Sequence, residues 1–240
     1  YWLKVYEVPQ GTRVGRGKPI INMFPLEDGE KISAILSIKE FVADQFIFMC
    51  TAKGTVKKTP LSDFSNQRKA GIIAVALDED DFLIGAEITS GTQDIVLVSD
   101  AGKAVWFDEE DVRPMGRTAR GVRGMRLVKD QRVLSLLVAE NHQETVLVAT
   151  ENGYGKRTVL ADFRHSGRGG QGVIAIAASE RNGKVVAAKL VHDDDEIMLI
   201  TTGGVLIRPR VNEIRELGRA TQGVTLIALD AGENLSGLEK

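Results

Sequence analysis

Four things are scarce in this sequence: cysteine, aromatic side chains, long apolar runs and net charge. A single cysteine, Cys50, in 240 residues excludes an intramolecular disulfide and a thiol-rich zinc site, and reads as a small buried hydrophobe in a reducing compartment. No stretch reaches the roughly 18 apolar residues of a membrane-spanning helix. The opening residues, YWLKVYEVPQ, lack the basic lead and apolar core of a signal peptide. The reading is a soluble, cytoplasmic chain with no membrane partner. A formal charge of −2 carries no hint of a nucleic-acid partner until its distribution is known.

What is present is a repeat. A T/S-x-x-G turn recurs as Thr51 to Gly54, Ser99 to Gly102, Thr150 to Gly153 and Thr201 to Gly204, with glycine spacings of 48, 51 and 51. A second glycine follows 17 to 19 residues later, at Gly71, Gly121, Gly172 and Gly223, and the same position occurs earlier at Gly17. In that alignment Tyr1, Trp2 and Leu3 match Val105, Trp106 and Phe107, so the first repeat is expected to be truncated. Five repeats, about 1–45, 46–93, 94–143, 144–194 and 195–240, make up one domain.

Each repeat holds four strand-sized runs, in the second full repeat Ile95 to Val98, Ala104 to Phe107, Gly121 to Leu127 and Val133 to Val138. No sustained helical period separates them. Four strands per repeat predict an all-β, propeller-like ring of four-stranded blades. The alternative, a β-sandwich with accidentally regular spacing, has five aligned glycines against it.

Charge follows the same period. Windows 10–18, 53–69, 113–126, 156–168 and 208–219 hold 21 of the 31 lysines and arginines but only 4 of the 33 acids. The acids gather at other phases, in Glu27 to Glu30, Asp78 to Asp81, Asp108 to Asp111 and Asp193 to Glu196. Equal phase means equal position on each blade, so the basic windows would form one belt. A belt of cations suits duplex DNA, where neutralised phosphates release condensed counterions. Glycine beside arginine would let backbone approach phosphates while the guanidinium grips two oxygens. Taken alone, any one such window reads better as a solvated turn; recurrence in five windows reverses that preference.

Several segments then resemble a known family: Gly54-Thr-Val-Lys-Lys-Thr59, Gly121-Val-Arg-Gly-Met-Arg-Leu127, Asn152-Gly-Tyr-Gly-Lys-Arg-Thr158 and Arg219-Ala-Thr-Gln-Gly-Val224. They look like the C-terminal domain of bacterial DNA gyrase A, and the resemblance covers essentially the whole chain. It implies a β-pinwheel whose blades exchange a strand and carry double-stranded DNA around a basic outer rim. It further implies a non-catalytic segment of an A2B2 assembly with the rest of gyrase A and with gyrase B, in the bacterial cytoplasm. ATP and Mg2+ would serve that holoenzyme during negative supercoiling, with no cofactor, metal or catalytic residue in this segment.

The family's box, Q-[KR]-R-G-G-[KR]-G, finds only a degenerate match in Ser166-Gly-Arg-Gly-Gly-Gln-Gly172. The complete box is expected about one repeat upstream of Gly17, outside this chain. The departure keeps the related C-terminal domain of topoisomerase IV open. On the gyrase reading the DNA contacts are Arg13, Arg16, Lys18, Lys57, Lys58, Arg68, Lys69, Arg117, Arg120, Arg123, Lys156, Arg157, Arg168, Gly169, Gly170, Arg208 and Arg219.

Other motifs are declined. Residues 167–172 spell G-x-G-x-x-G, but the following Val173 to Ile176 is strand-like and no βαβ unit surrounds it. His142, His165 and His192 lie 23 and 27 residues apart, with no metal-ligand spacing, and read as surface residues. The acidic runs lack the pattern of a calcium loop and read as solvated turns. Tyr1, Tyr6 and Tyr154 read as packing residues. A protein-binding propeller would need an exposed apolar patch, and aromatics are only 5% with no Trp-Asp dipeptide. A propeller enzyme would need acids or histidines converging on the central channel.

Overall fold

The computed structural model describes residues 1–240. It is all-β, with short 3-10 turns and no α-helix, so no helix is long and apolar enough to cross a membrane. The strands are β1 (Phe46–Thr51), β2 (Thr55–Pro60), β3 (Leu83–Thr89), β4 (Asp94–Ser99), β5 (Lys103–Asp108), β6 (Val122–Arg123), β7 (Val133–Ala139) and β8 (Thr145–Thr150). They continue as β9 (Tyr154–Val159), β10 (Val173–Ile174), β11 (Val185–Val191), β12 (Met198–Thr201), β13 (Leu206–Ile207), β14 (Val224–Thr225) and β15 (Leu235–Glu239).

Sheet order reveals how repeats join. The sheets run β3-β1-β2-β6, β10-β5-β4-β7, β11-β8-β9-β14 and β13-β12-β15. Each four-stranded sheet takes three strands from its own repeat and the fourth, two residues long, from the next. The expected run Gly121 to Leu127 therefore shrinks to Val122–Arg123, and it pairs with the preceding blade. Residues 1–45 form no strand, only 3-10 turns at Val5–Glu7 and Ile20–Met23. Their Trp2, Leu36, Ile38 and Phe41 pack on Met49 of β1 and on Leu61 and Phe64 of the 3-10 turn that follows β2.

Continuous apolar runs in the inner strands follow from burial on both faces. Alternate residues of a strand point to opposite sides: Ile95 and Leu97 of β4 enter the core shared with Phe48 and Cys50, while Val96 and Val98 meet Val146, Val148 and Phe163 of the next repeat. Leu147 and Ala149 of β8 face onward to Ile197 and Leu199. The cores thus lie between blades. Cys50 is fully buried, and burial pushes its thiol pKa up. Tyr6 departs from the packing expectation: it is 84% exposed, whereas Tyr1 packs on Phe24 and Tyr154 carries Arg181 over its ring.

The recurring second glycine serves strand exchange. A Cβ on Gly121 would sit 2.4 Å from the Val56 carbonyl oxygen, and one on Gly172 2.4 Å from that of Ala104. Both also have positive φ, +106° and +77°. These glycines let the incoming segment press against the receiving strand. The turn glycine completes the dock: the Gly54 carbonyl accepts the N–H groups of Gly124 and Met125 at 2.8 and 3.1 Å, and Gly102 accepts those of Ala175 and Ile176 at 2.8 and 3.2 Å.

Three lysines are part of this scaffold. Lys57, Lys58 and Lys156 are at most 4% exposed. The Lys57 ammonium donates to the carbonyls of Ala74, at 2.7 Å, and Arg117. That of Lys156 donates to Thr158 Oγ1 and the Gly218 carbonyl at 2.8 and 2.9 Å. Lys58 donates to the Glu109 carbonyl at 3.1 Å, with a Glu109 carboxylate oxygen 3.9 Å away. Desolvation pushes Lys57 and Lys156 down to about 8 and lowers Lys58 as well.

Substituting Gly121 or Gly172 by alanine is expected to cost about 2–4 kcal/mol, from left-handed strain plus the backbone clash. Gly17→Ala, at φ +67° with nothing within 4 Å, should cost only about 1–2 kcal/mol; urea unfolding midpoints make the comparison. Below about pH 8, Lys57 and Lys156 hold their protons in both folded and unfolded chains. Between about 8 and the ordinary lysine value of 10.5 only the unfolded chain does, so raising pH through that window favours folding. Stability of the parent chain should therefore climb across this window relative to Lys156→Met, as read from denaturant melts at stepped pH.

Candidate nucleic-acid interface

The basic windows after Gly54 map onto β2, β9 and the loops that lead into the exchanged strands. Met115, Ser166 and Leu217, one repeat apart, donate backbone N–H groups to the carbonyls of Lys58, Trp106 and Arg157 at 2.8, 2.9 and 2.9 Å. Each loop is thereby laid along the receiving blade's second strand. Neighbouring loops also touch: Gly169 donates its N–H to the Gly124 carbonyl at 2.6 Å, and the Gly170 carbonyl accepts from Arg126 at 2.8 Å. Those backbone groups of the box-like segment are engaged within the protein.

The predicted contact residues separate into three groups. Arg13, Arg16, Lys18, Arg68, Lys69, Arg120, Arg123 and Arg208 lie exposed, although Arg120 pairs with Asp78 at 2.8 Å and Arg208 with Glu196. Arg117, Arg168 and Arg219, again one repeat apart, staple adjacent loops. Their guanidinium groups donate to the carbonyls of Ile73, Arg123 and Ile174 at 3.0, 3.0 and 3.3 Å, and Arg168 also reaches the Asp111 carbonyl at 2.9 Å. Each retains further donors, because a guanidinium has five.

The third group departs from its predicted role. Lys57, Lys58 and Lys156 point into the protein and spend their ammonium groups on backbone carbonyls, so they do not present charge to a ligand. Arg157 is also largely withdrawn: its side chain is 11% exposed, paired with Asp193 and bonded to the Ile214 carbonyl at 2.7 Å. Arg113, Arg164 and Arg215, absent from the predicted set, are all exposed. Their even spacing of 51 residues was the available signal.

The acids are organised too. Asp81 accepts the N–H groups of Lys53 and Phe82, both at 2.9 Å. Glu109 is fully buried and accepts from Thr89 and from the Gly91 and Gln93 N–H groups. Acidic residues expected only to solvate turns thus close them by accepting hydrogen bonds. The histidines are not isolated surface residues either. His165 Nε2 lies 3.4 Å from Asp94 Oδ1 and 3.3 Å from Asp108 Oδ1, and His142 Nε2 is 2.9 Å from Asp94 Oδ2.

The family model described as "DNA gyrase C-terminal domain, beta-propeller" matches residues 1–39, 45–90, 93–140, 144–192 and 195–240. The DNA gyrase A of Klebsiella oxytoca is 51% identical over 240 residues, all of this chain and 27% of that protein. Its counterpart in Salmonella typhimurium is 50% identical over the same span, so the chain covers about a quarter of these relatives. Among solved structures, a DNA gyrase A C-terminal domain has a TM-score of 0.85 at 28% identity, covering 99% of this chain and 77% of the other. The C-terminal domain of a DNA topoisomerase IV has 0.87 at 27%, covering 93% and 70%. Full-length family coverage, close gyrase relatives and the exchanged-strand blades agree: this chain belongs to the DNA gyrase C-terminal domain family.

Proposed function

We propose that the chain binds double-stranded DNA and wraps it along the belt of exposed basic side chains on its exchange loops, largely without reading base sequence. The observation that carries this reading is the repetition of exposed arginines at matching phases. Arg113, Arg164 and Arg215 stand one repeat apart, and Arg120 and Arg123 follow Arg113 in the same window, flanking Gly121. Arg13, Arg16, Lys18, Arg68 and Lys69 extend the belt toward the first repeats.

Bending a 20–30 base-pair site by 40–90° costs about 1–6 kcal/mol. A belt of many weak phosphate contacts can supply that without reading base sequence. In the assembled gyrase, formed as A2B2 with gyrase B, wrapping would present a second duplex segment in one sense and thereby bias strand passage toward negative supercoils. ATP and Mg2+ act in that assembly, and no residue of this segment takes part in strand cleavage. The high identity to gyrase A relatives favours this setting over topoisomerase IV.

Binding to a duplex long enough to follow the belt should weaken with salt, with a log–log slope near −7 if about eight phosphates are neutralised. The paired reversal Arg120→Glu with Arg123→Glu should make the slope shallower by about 2 while leaving the urea midpoint within about 0.5 kcal/mol of stability. Reversing Lys129 and Lys184, exposed but outside the windows, should change binding much less. A slope near zero, or equal losses from both pairs, would overturn the reading.

A further inference from the structure

One junction departs from the charge pattern of the others. Lys58, Trp106, Arg157 and Arg208 occupy the same repeat position, 48, 51 and 51 residues apart. Three carry a cation held against an acid: Lys58 near Glu109, Arg157 with Asp193 and Arg208 with Glu196. The fourth has a neutral indole. The facing ends of the same blades show the complementary change. Cross-strand partners there are Phe46 with Pro60, Thr145 with Val159, and Glu196 with Arg210, but in the Trp106 blade they are Asp94 with Asp108.

Two carboxylates directly opposite on adjacent strands repel each other, and no lysine or arginine pairs with either. What faces them is imidazole. His165, carried in on the loop of the next repeat, places Nε2 3.4 Å from Asp94 Oδ1 and 3.3 Å from Asp108 Oδ1. These three ligand atoms all lie within 4.8 Å of one another. His142 Nε2 holds the other Asp94 oxygen at 2.9 Å. Both imidazoles stand edge-on to Trp106, with ring centroids 4.9 and 4.7 Å away, which limits their rotation.

We infer that Asp94, Asp108 and His165 form a binding site for a divalent transition-metal ion of the zinc type, with His142 orienting Asp94 from outside. Zinc takes imidazole nitrogen and carboxylate oxygen at about 2.0–2.2 Å, which sets tetrahedral ligand atoms about 3.3–3.6 Å apart; the two His165 distances match that edge. Three protein ligands leave the fourth position to solvent. Mixed imidazole and carboxylate donors favour zinc over magnesium or calcium, which prefer all-oxygen shells. The site is open to ions in solution, since the His165 and Asp108 side chains are 40% and 58% exposed. Two ligands come from one blade and the third from the next repeat's basic loop, so the ion would cross-link them beside Arg164 and offset two negative charges there.

Titration calorimetry of Zn2+ into the untagged, chelator-treated chain tests this, with Co2+ absorption reporting ligand geometry. One ion per chain is expected. His165→Ala should abolish saturable binding, the near-isosteric Asp108→Asn should weaken it at least tenfold, and His142→Gln should weaken it about 10- to 100-fold as an outer-shell change. Circular dichroism checks that each variant is folded. The inference fails if the parent chain shows no saturable Zn2+ binding. It also fails if folded His165→Ala and Asp108→Asn bind as the parent does, or if equimolar Mg2+ displaces the ion.

Discussion

Blades in this chain are held together by a two-residue strand that each of the last three repeats donates to the one before it. Val122–Arg123, Val173–Ile174 and Val224–Thr225 are too short to be stable by themselves, and they exist because the receiving blade offers a prepared edge. The dock has two parts: on the receiving blade, the turn glycine's carbonyl, which takes two N–H groups, and in the incoming segment, a glycine of positive φ that lets its backbone come close enough to pair. The loops, their arginines and the contacts between blades all take their positions from this dock.

Strand exchange explains why charge and glycine recur together. The loop must leave one blade, cross to its predecessor and return, and it spans that path largely as irregular backbone. Buried lysines and stapling arginines satisfy carbonyls that would otherwise go unpaired along the crossing. Cations in these windows therefore do two jobs, and burial sorts them. Lys57 and Lys156 hold the crossing from inside, Arg117, Arg168 and Arg219 hold it from outside with donors to spare, and Arg113, Arg164 and Arg215 project beyond it.

The histidine cluster is a local exception built on the same frame. Replacing the recurring cation by Trp106 while setting Asp94 opposite Asp108 would be a repulsive defect if the neighbouring loop did not bring His165 to the same point. The loop can do so because Ser166 is bonded to the Trp106 carbonyl, just as Met115 and Leu217 are bonded at the sister junctions. A scaffold that repeats its backbone contacts can vary the side chains at one junction without losing its register.

The period, the all-β character and the phase at which positive charge gathers were legible along the chain, because they depend on local patterns: turn glycines, apolar runs buried on both faces, and residue types counted in order. Those patterns could not tell Lys57 from Arg68, since both are cations in one window, and only packing decides which ammonium is enclosed by carbonyls. Nor could they place His165 beside Asp94, some seventy residues earlier. That meeting depends on which blade receives the exchanged strand, a choice made by long-range pairing, and so the division of the basic residues into inner braces and outer surface belongs to the folded chain alone.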